Sequence, residues 1–316
     1  MKRSIPLALL AALLLSLPSC GAGTAEEPRL TVVCTTFPIY LFASSLTEGV
    51  EGVAVERLDT GSTSCLHDYT LSMADMKKIE RADIIAVNGA GLEEFLEDAL
   101  AASDAKVIDC SQGVVLLESL SHRHDEDEED EHGHDHGHWD PHYWMDPSRA
   151  AVMLENLAEG LSLWDSGCAG AYRANLERAR PEIEALLPLA AGNLYLYPDG
   201  AVMSWVSPHR LITFHDGFQY FAEVYGFELL AAIEEEAGSE ASAHEIVEIT
   251  GLVNRYDIPA IFTEVNGSAA TANSISRETG CQVRALNMIM DGEEAGVEGY
   301  VRAMEENLRT IWEAFQ

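Results

Sequence analysis

Short β-branched runs alternate with helix-like segments in two blocks of this 316-residue chain, and a stretch with almost no strand pattern separates the blocks. The run Leu-Thr-Val-Val-Cys at residues 30–34 opens the first block, and Ala-Asp-Ile-Ile-Ala-Val-Asn at 82–88 is typical of a buried strand. Strands that alternate with helices form parallel sheets covered on both faces. Each block therefore predicts an α/β unit.

The first block predicts strands at residues 30–34, 53–58, 82–88 and 106–109 and helices at 39–46, 72–81 and 92–101. The stretch between the blocks predicts helices at 151–163 and 169–187. The second block predicts strands at 201–207, 228–232, 260–263 and 283–286 and helices at 216–225, 243–256, 269–279 and from about 299. We expect two lobes, each with a small, mostly parallel sheet flanked by helices, joined by a long rigid helix. One doubly wound domain with a helical insertion is the alternative.

These patterns predict four segments along the chain. We expect a signal peptide at 1–20, an N-terminal α/β lobe at 29–165 with a His/acid-rich loop at 121–139, a linking helix at 166–192, and a C-terminal α/β lobe at 193–316.

The first twenty residues predict export. Lys2 and Arg3 precede an apolar run at 5–17, which is too short to span a bilayer but is typical of a signal peptide. The ending Leu17-Pro18-Ser19-Cys20 resembles a bacterial lipobox, in which Cys20 becomes the lipidated first residue. Ordinary signal cleavage is the alternative. We expect a protein outside the cytoplasmic membrane, anchored to it by lipid.

The formal net charge is −34, from 53 acidic and 19 basic residues. A chain this acidic has too little positive charge to neutralise phosphates, so we expect no nucleic-acid partner. Its field instead raises the local concentration of cations.

Seven of the eleven histidines lie between residues 122 and 142, among many carboxylates. Imidazole nitrogen beside carboxylate oxygen suits Zn²⁺ and related ions, whereas a purification tag or a plain acidic linker is the alternative. We expect an auxiliary low-affinity metal loop, and its candidate ligands are His122, His124, His132, His134, His136 and His138.

Five cysteines follow Cys20, and none forms a C-x-x-C pair: Cys34, Cys65, Cys110, Cys168 and Cys281. An odd number in an exported protein leaves at least one thiol unpaired. A Cys34–Cys65 bridge and small buried thiols both remain open.

Three further histidines are candidate metal ligands because of their positions. His67 lies between the second predicted strand and the next helix, His142 follows the His-rich run, and His215 follows the first predicted strand of the second block. In open α/β sheets, ligands bind beyond the carboxyl ends of strands. Asp68 and Asp216 each follow one of these histidines, and they either orient the imidazole or cap the next helix.

An ordered set of short segments now carries a resemblance over the mature chain. The segments are residues 33–40 (VCTTFPIY), 67–69 with 71–75, 82–83, 88–89 and 91–93, 142–147 (HYWMDP), 215–220 (HDGFQY) and 261–264 (IFTE). Together they resemble the zinc- and manganese-binding solute receptors of ABC importers, the ZnuA/TroA-like family. The resemblance implies two lobes bridged by a rigid helix, a metal ion in the cleft, and delivery to a membrane permease.

The resemblance also implies a ligand set. His67, His142 and His215 match the family's three histidine ligands, and the His-rich loop is similar to that of the zinc branch. The family often supplies a fourth ligand from a Leu-Asp pattern after the last strand, but this chain has Leu286-Asn287 there. Asn287, Asp291, Glu264 and a water molecule all remain candidates. Neutral imidazoles favour Zn²⁺ over Mn²⁺, which prefers oxygen donors.

We therefore expect a monomeric zinc receptor for an ABC importer and no catalytic role. A secreted zinc-dependent hydrolase, with Glu264 as the base, and a surface adhesin are the alternatives. The sequence contains neither an H-E-x-x-H nor a G-x-S-x-G motif, which disfavours the hydrolase.

Overall fold

The computed structural model describes residues 27–60, 69–120, 138–189, 194–196, 200, 202–204, 209–234, 242–265 and 269–316. Ten strands and nine α-helices lie in this part of the chain. The strands form two four-stranded sheets and one two-stranded ribbon. None of the helices described is both long enough and apolar enough to span a bilayer.

The N-terminal sheet has the order β2-β1-β3-β4, and all of its strand pairs are parallel. Its strands are β1 (Leu30–Cys34), β2 (Val53–Arg57), β3 (Ile84–Val87) and β4 (Lys106–Asp109). Its helices are α1 (Phe37–Leu46), α2 (Met73–Arg81) and α3 (Glu97–Ala102). The two central strands are buried along their whole length, as the β-branched runs predict.

Two helices follow this sheet, α4 (Pro147–Trp164) and α5 (Ala169–Glu184). Asp146 begins α4 by accepting a hydrogen bond from the Ser148 backbone N–H. At the other end of α4, the Asp165 carboxylate accepts two hydrogen bonds from the Arg29 guanidinium, at 2.9 and 2.8 Å. This contact fixes the chain just before β1 against the junction of α4 and α5.

The C-terminal sheet has the order β10-β9-β7-β8 and is also parallel. Its strands are β7 (Arg210–His215), β8 (Glu228–Glu234), β9 (Ala260–Glu264) and β10 (Gln282–Leu286). Its helices are α6 (Gln219–Tyr225), α7 (Ala243–Tyr256), α8 (Ala270–Thr279) and α9 (Val297–Ala314). Numbered from its own first strand, this sheet has the same order as the N-terminal sheet. Two α/β lobes are thus confirmed.

The place of one predicted strand is wrong, and the strand that takes its place in the sheet is not among those predicted. Residues 201–207 were expected to open the C-terminal sheet, but within the described residues Val202–Ser204 is β6 and pairs antiparallel with β5, Leu194–Leu196. The sheet begins instead with Arg-Leu-Ile-Thr-Phe-His, whose last five residues are buried. Both segments have strand propensity, and only burial on both faces distinguishes the sheet strand. His215 is therefore the last residue of a strand and not part of a loop after it.

The largest apolar core contains residues from both lobes. It includes Phe42 of α1, Leu157 of α4, Phe221 of α6 and Leu308 of α9. A second cluster packs α7 and α8 against the C-terminal sheet, and a third packs α2 and α3 against the N-terminal one. The shared core holds the carboxyl ends of the two sheets in a fixed relation.

Candidate metal site

The order of both sheets places a crevice at the carboxyl ends of their two central strands. In a parallel 2-1-3-4 sheet the strand order reverses between the first and third strands, and ligands bind beyond the carboxyl ends of these two strands. In the C-terminal lobe these strands are β7 and β9, which end at His215 and Glu264. Both side chains are buried.

In the N-terminal lobe, the segment that carries His142 covers the equivalent crevice. Asn88, directly after β3, donates its side-chain amide to the Pro141 carbonyl at 3.1 Å. The Tyr143 hydroxyl donates to the Asn88 carbonyl at 2.7 Å. Tyr143 and Trp144 are fully buried, and burying a large apolar side chain stabilises a fold by about 2–3 kcal/mol. These contacts fix the backbone on either side of His142.

The structure brings His142 and His215 together. Their Nε2 atoms lie 3.4 Å apart, and their rings are nearly perpendicular, with centroids 5.1 Å apart. The exposed fractions of the two residues are 4% and 3%. A tetrahedral Zn²⁺ bound by two imidazoles at about 2.0–2.1 Å separates their nitrogens by about 3.3 Å. The pair thus has the spacing of two ligands to one tetrahedral ion.

Asp140 fixes the orientation of His142. One of its carboxylate oxygens lies 2.8 Å from His142 Nδ1 and accepts the His142 backbone N–H at 2.9 Å. Gln219 donates to the other oxygen at 3.1 Å, and the Tyr220 hydroxyl donates to the Asp140 carbonyl at 2.6 Å. A carboxylate on Nδ1 leaves Nε2 with its lone pair directed at His215.

Asp140 is not among the residues predicted from the sequence. It lies two residues before His142 in Trp-Asp-Pro-His, and a carboxylate this close to a candidate ligand was the available signal. The acidic run just before it contains many carboxylates, so proximity alone did not distinguish Asp140.

Burial of the His142 imidazole lowers its pKa, but the hydrogen bond and charge of Asp140 outweigh burial. The charges of Asp216 and Glu264 act in the same direction, so the pKa of His142 is raised above its usual value. The crevice therefore favours positive charge near these nitrogens.

Glu264 lies beside the other histidine. Its Oε1 is 3.5 Å from His215 Nδ1, on the side of the ring away from His142. Asp216, the next residue after His215, does not cap the following helix: Phe218 is the N-cap of α6, and no side chain caps it. The capping role expected for Asp216 is therefore wrong, because α6 begins later than the sequence pattern indicates.

Several predicted site residues lie outside the described residues: His67 and Asp68 at the first loop, and His122, His124, His132, His134 and His136 in the His-rich loop. His138 is described and is exposed, 3.8 Å from a Glu118 carboxylate oxygen and edge-on to Trp139. Within the described ranges, no group of three or more His, Cys, Asp or Glu side chains is close enough together to hold a metal ion.

The candidate fourth ligands from the last loop have other contacts. The side-chain oxygen of Asn287 accepts the Ile289 backbone N–H at 2.7 Å. Asp291 has an exposed fraction of 40% at its side chain and accepts a hydrogen bond from Arg57 at 2.7 Å. In this arrangement neither side chain is directed to the histidine pair.

The described cysteines are all free thiols: Cys34, Cys110, Cys168 and Cys281. Burial alone raises the pKa of the Cys34 thiol well above its usual value. Cys65 lies outside the described residues, so a Cys34–Cys65 bridge stays a prediction.

Two α/β lobes of the same strand order, with His142 and His215 facing each other between them, define the class of this protein: a two-lobed α/β protein with a candidate metal site in its crevice. The sequence model of the family described as zinc-uptake complex component A, periplasmic, matches residues 32–314. The chain belongs to this family, whose members bind divalent metal ions and are not known as enzymes.

Two curated relatives and one solved structure illustrate the range of the family. The zinc-binding lipoprotein AdcA of Streptococcus pneumoniae is 28% identical over 98% of this chain, which spans only 60% of the length of AdcA. The manganese-binding lipoprotein MntA of Halalkalibacterium halodurans is 24% identical, with 92% of each chain covered. The Zn(II)-bound AdcAII variant of Streptococcus pneumoniae superposes with a TM-score of 0.71 at 24% identity, covering 92% of this chain and 99% of the other. This last likeness supports the fold.

Proposed function

We propose that this protein is an extracytoplasmic Zn²⁺ receptor that delivers its ion to an ABC importer. The observation that carries the proposal is the 3.4 Å separation of the His142 and His215 Nε2 atoms in a buried crevice between the lobes. Two buried imidazoles with their coordinating nitrogens facing each other are suited to a shared cation.

His67 is our proposed third ligand, on the basis of the family resemblance. A water molecule is our proposed fourth ligand, since Asn287 and Asp291 are engaged elsewhere. Zinc is the preferred ion because the site offers imidazoles rather than the oxygen donors that Mn²⁺ prefers. AdcA is named for zinc and MntA for manganese, so selectivity within the family depends on details of each chain's own site.

The proposed setting follows from the sequence. Cys20 is the proposed site of lipidation, and the names of AdcA and MntA as lipoproteins support it. We propose lobes at 29–165 and 193–316, a linking segment at 166–192, and action as a monomer that hands its ion to a membrane permease.

Calorimetry on the protein without its signal peptide tests the site. The wild-type protein should bind about one zinc ion tightly, and His67→Ala, His142→Ala, His215→Ala in one chain should abolish that phase. His244→Ala is the matched control, because His244 is an exposed histidine at the start of α7. An unchanged tight phase in the triple variant would refute the proposal.

The His-rich loop, residues 121–139, has two proposed roles, an antenna that passes zinc to the crevice or a sensor of high zinc. Deleting 122–138 distinguishes them. An antenna predicts slower zinc uptake under chelation with unchanged affinity at the crevice, and normal growth under chelation would count against it.

We infer no catalytic role. A hydrolase needs a general base beside the metal-bound water. Glu264 contacts the Nδ1 side of His215, whereas the ion would lie on the Nε2 side. The relatives named above are metal-binding proteins, and we propose no adhesive role. Zinc-dependent hydrolysis of generic esters or peptides by the purified protein would overturn this inference.

A further inference from the structure

We propose that Met288, in the loop after β10, is an apolar wall beside the bound ion and determines selectivity against Mn²⁺. The inference rests on the proposed function, since it concerns the same histidine pair. Met288 stands one residue after Asn287, the position at which the family resemblance led us to expect a carboxylate.

The position of the Met288 side chain follows from Gly217, which lies two residues after His215. A Cβ on Gly217 would be 2.2 Å from the Met288 methyl carbon, 3.0 Å from Cδ2 of His215 and 3.2 Å from Cγ of His142. The tip of Met288 and both imidazole rings therefore surround one small volume. The exposed fraction of Met288 is 3%, so its side chain is buried beside the two histidines.

The loop that presents Met288 is held at several points. The Met288 carbonyl accepts a hydrogen bond from the Trp144 indole N–H at 3.0 Å, and this bond joins the loop to the segment that carries His142. Asn307 of α9 accepts the Asn287 backbone N–H and donates to the Asn287 carbonyl, both at 2.7 Å.

The backbone of Ile289 indicates that the surrounding structure imposes the conformation of this loop. Its φ is +61°, in the left-handed region that a β-branched residue rarely adopts and that costs of order 1–3 kcal/mol. The Asn287 side chain accepts the N–H of Ile289 and supports this turn. Such strain persists where the surroundings determine the backbone, and here it directs Met288, not Asn287, towards the histidines.

An apolar wall affects the two ions differently. Mn²⁺ prefers more oxygen ligands, whereas Zn²⁺ is stable with four ligands including imidazoles. A methyl group beside the histidines occupies space that an oxygen donor would need, so it penalises Mn²⁺ more than Zn²⁺.

Met288→Asp is the test, with Zn²⁺ and Mn²⁺ affinities measured by calorimetry and folding checked by thermal melting. We expect Mn²⁺ affinity to rise at least about tenfold relative to Zn²⁺ affinity. Asn287→Asp is the matched control. It adds the same carboxylate one residue away, where the side chain faces the Ile289 N–H, and its selectivity should stay at the wild-type ratio. A gain of Mn²⁺ binding in the control alone would overturn the proposal.

Met288→Leu and X-ray absorption on the zinc-loaded wild type keep the proposal testable even if Met288→Asp does not fold. Leucine preserves an apolar wall, so the selectivity of the wild type should be retained. A sulfur neighbour of zinc that is present in the wild-type spectrum and absent from that of Met288→Leu would make Met288 a ligand and would contradict its role as an apolar wall. If the wild type binds no zinc tightly, the proposed function itself fails. If the wild type binds zinc tightly, but Met288→Asp folds and leaves the ratio of Zn²⁺ to Mn²⁺ affinity unchanged, only the role proposed for Met288 is refuted.

Discussion

The two lobes have the same strand order, yet their crevices contain different groups. In the C-terminal lobe, β7 and β9 end in His215 and Glu264, which are buried 3.5 Å from each other. In the N-terminal lobe, β1 and β3 are followed by Thr35 and Asn88, which are hydrogen-bonded to the buried Glu93 carboxylate. In the C-terminal lobe, a strand of the sheet itself ends in the candidate ligand His215. In the N-terminal lobe, the strand ends support the separate segment that carries His142.

This difference affects how each histidine is held. The His215 ring position is set by its own strand and by a neighbouring strand of the same sheet. His142 depends on Asp140, which is held by Gln219 and Tyr220 of the opposite lobe. We infer that the position of the His142 ring depends on how the two lobes are placed relative to each other, whereas the position of the His215 ring does not.

The largest expected effect tests whether the two crevices contribute equally to one ion. A structural zinc site of four ligands is worth about 10–16 kcal/mol, or about 3 kcal/mol per ligand. His142→Ala and His215→Ala should each weaken zinc binding roughly a hundredfold or more, measured by competition with a chelator. His244→Ala should bind as the wild type does. If only one histidine variant loses affinity, the pair does not share an ion.

The next effect concerns the N-terminal crevice alone. Burial raises the pKa of Glu93 from 4.5 to about 7, despite hydrogen bonds from Thr35, Asn88 and Gly89. The folded state therefore keeps a proton that the unfolded chain releases. The contribution of Glu93 to stability is fully present below pH 4.5 and is lost as the pH rises towards 7, by up to about 3 kcal/mol.

Urea unfolding of Glu93→Gln between pH 4 and 8 should show a shallower decline than the wild type. Glu94→Gln, a change at the exposed neighbouring residue, should keep the wild-type slope. Parallel slopes for wild type and Glu93→Gln would mean that Glu93 is ionised in the folded protein at all these pH values.

Asp140→Asn should weaken zinc binding by about 10–100-fold, because a neutral amide replaces the carboxylate that lies 2.8 Å from His142 Nδ1 and orients the ring. Glu264→Gln should cost less, since Glu264 lies 3.5 Å from its imidazole against 2.8 Å for Asp140. Removing Asp140 also lowers the pKa of His142, so binding in that variant should persist to lower pH. Equal losses of zinc affinity in the Asp140 and Glu264 variants, measured by calorimetry, would mean that the two carboxylates support their histidines to the same extent.

The smallest effect tests the support from the opposite lobe. Tyr220→Phe removes the hydroxyl that donates to Asp140 and accepts the Leu117 N–H at 2.9 Å. Hydrogen bonds of this kind contribute about 0.5–1.5 kcal/mol, so zinc affinity should fall several-fold. Tyr225→Phe, on the same helix but bonded to Leu186, should lower stability without changing affinity. Identical zinc affinities in the two variants would mean that the Tyr220 hydroxyl of the C-terminal lobe does not help to position His142.

The sequence predicted the α/β lobes because their strands have clear β-branched runs between helical segments. It misplaced the first strand of the second lobe, since residues 201–207 and Arg210–His215 both look like strands in isolation. The ordered resemblance singled out His142 and His215, whose rings the structure places in contact.

The supporting residues were harder to predict. The role of Asp140 depends on a short antiparallel contact between residues 117–119 and 138–140, which no local pattern indicates. Met288 was overlooked because an apolar residue in Asn-Met-Ile-Met-Asp looks like ordinary core. Its contact with the histidines depends on a left-handed Ile289 that propensity argues against.

The pairing of Arg29 with Asp165 determines where a membrane tether would join the protein. Strand β1 starts beside this pair, and the histidines lie beyond the opposite ends of the strands. With lipid on Cys20, the eight residues 21–28 reach at most about 29 Å. A lipid tether would then join the protein at the amino end of β1, whereas the crevice lies beyond the carboxyl ends of the strands, so the attachment point and the metal site would be on opposite edges of the N-terminal sheet.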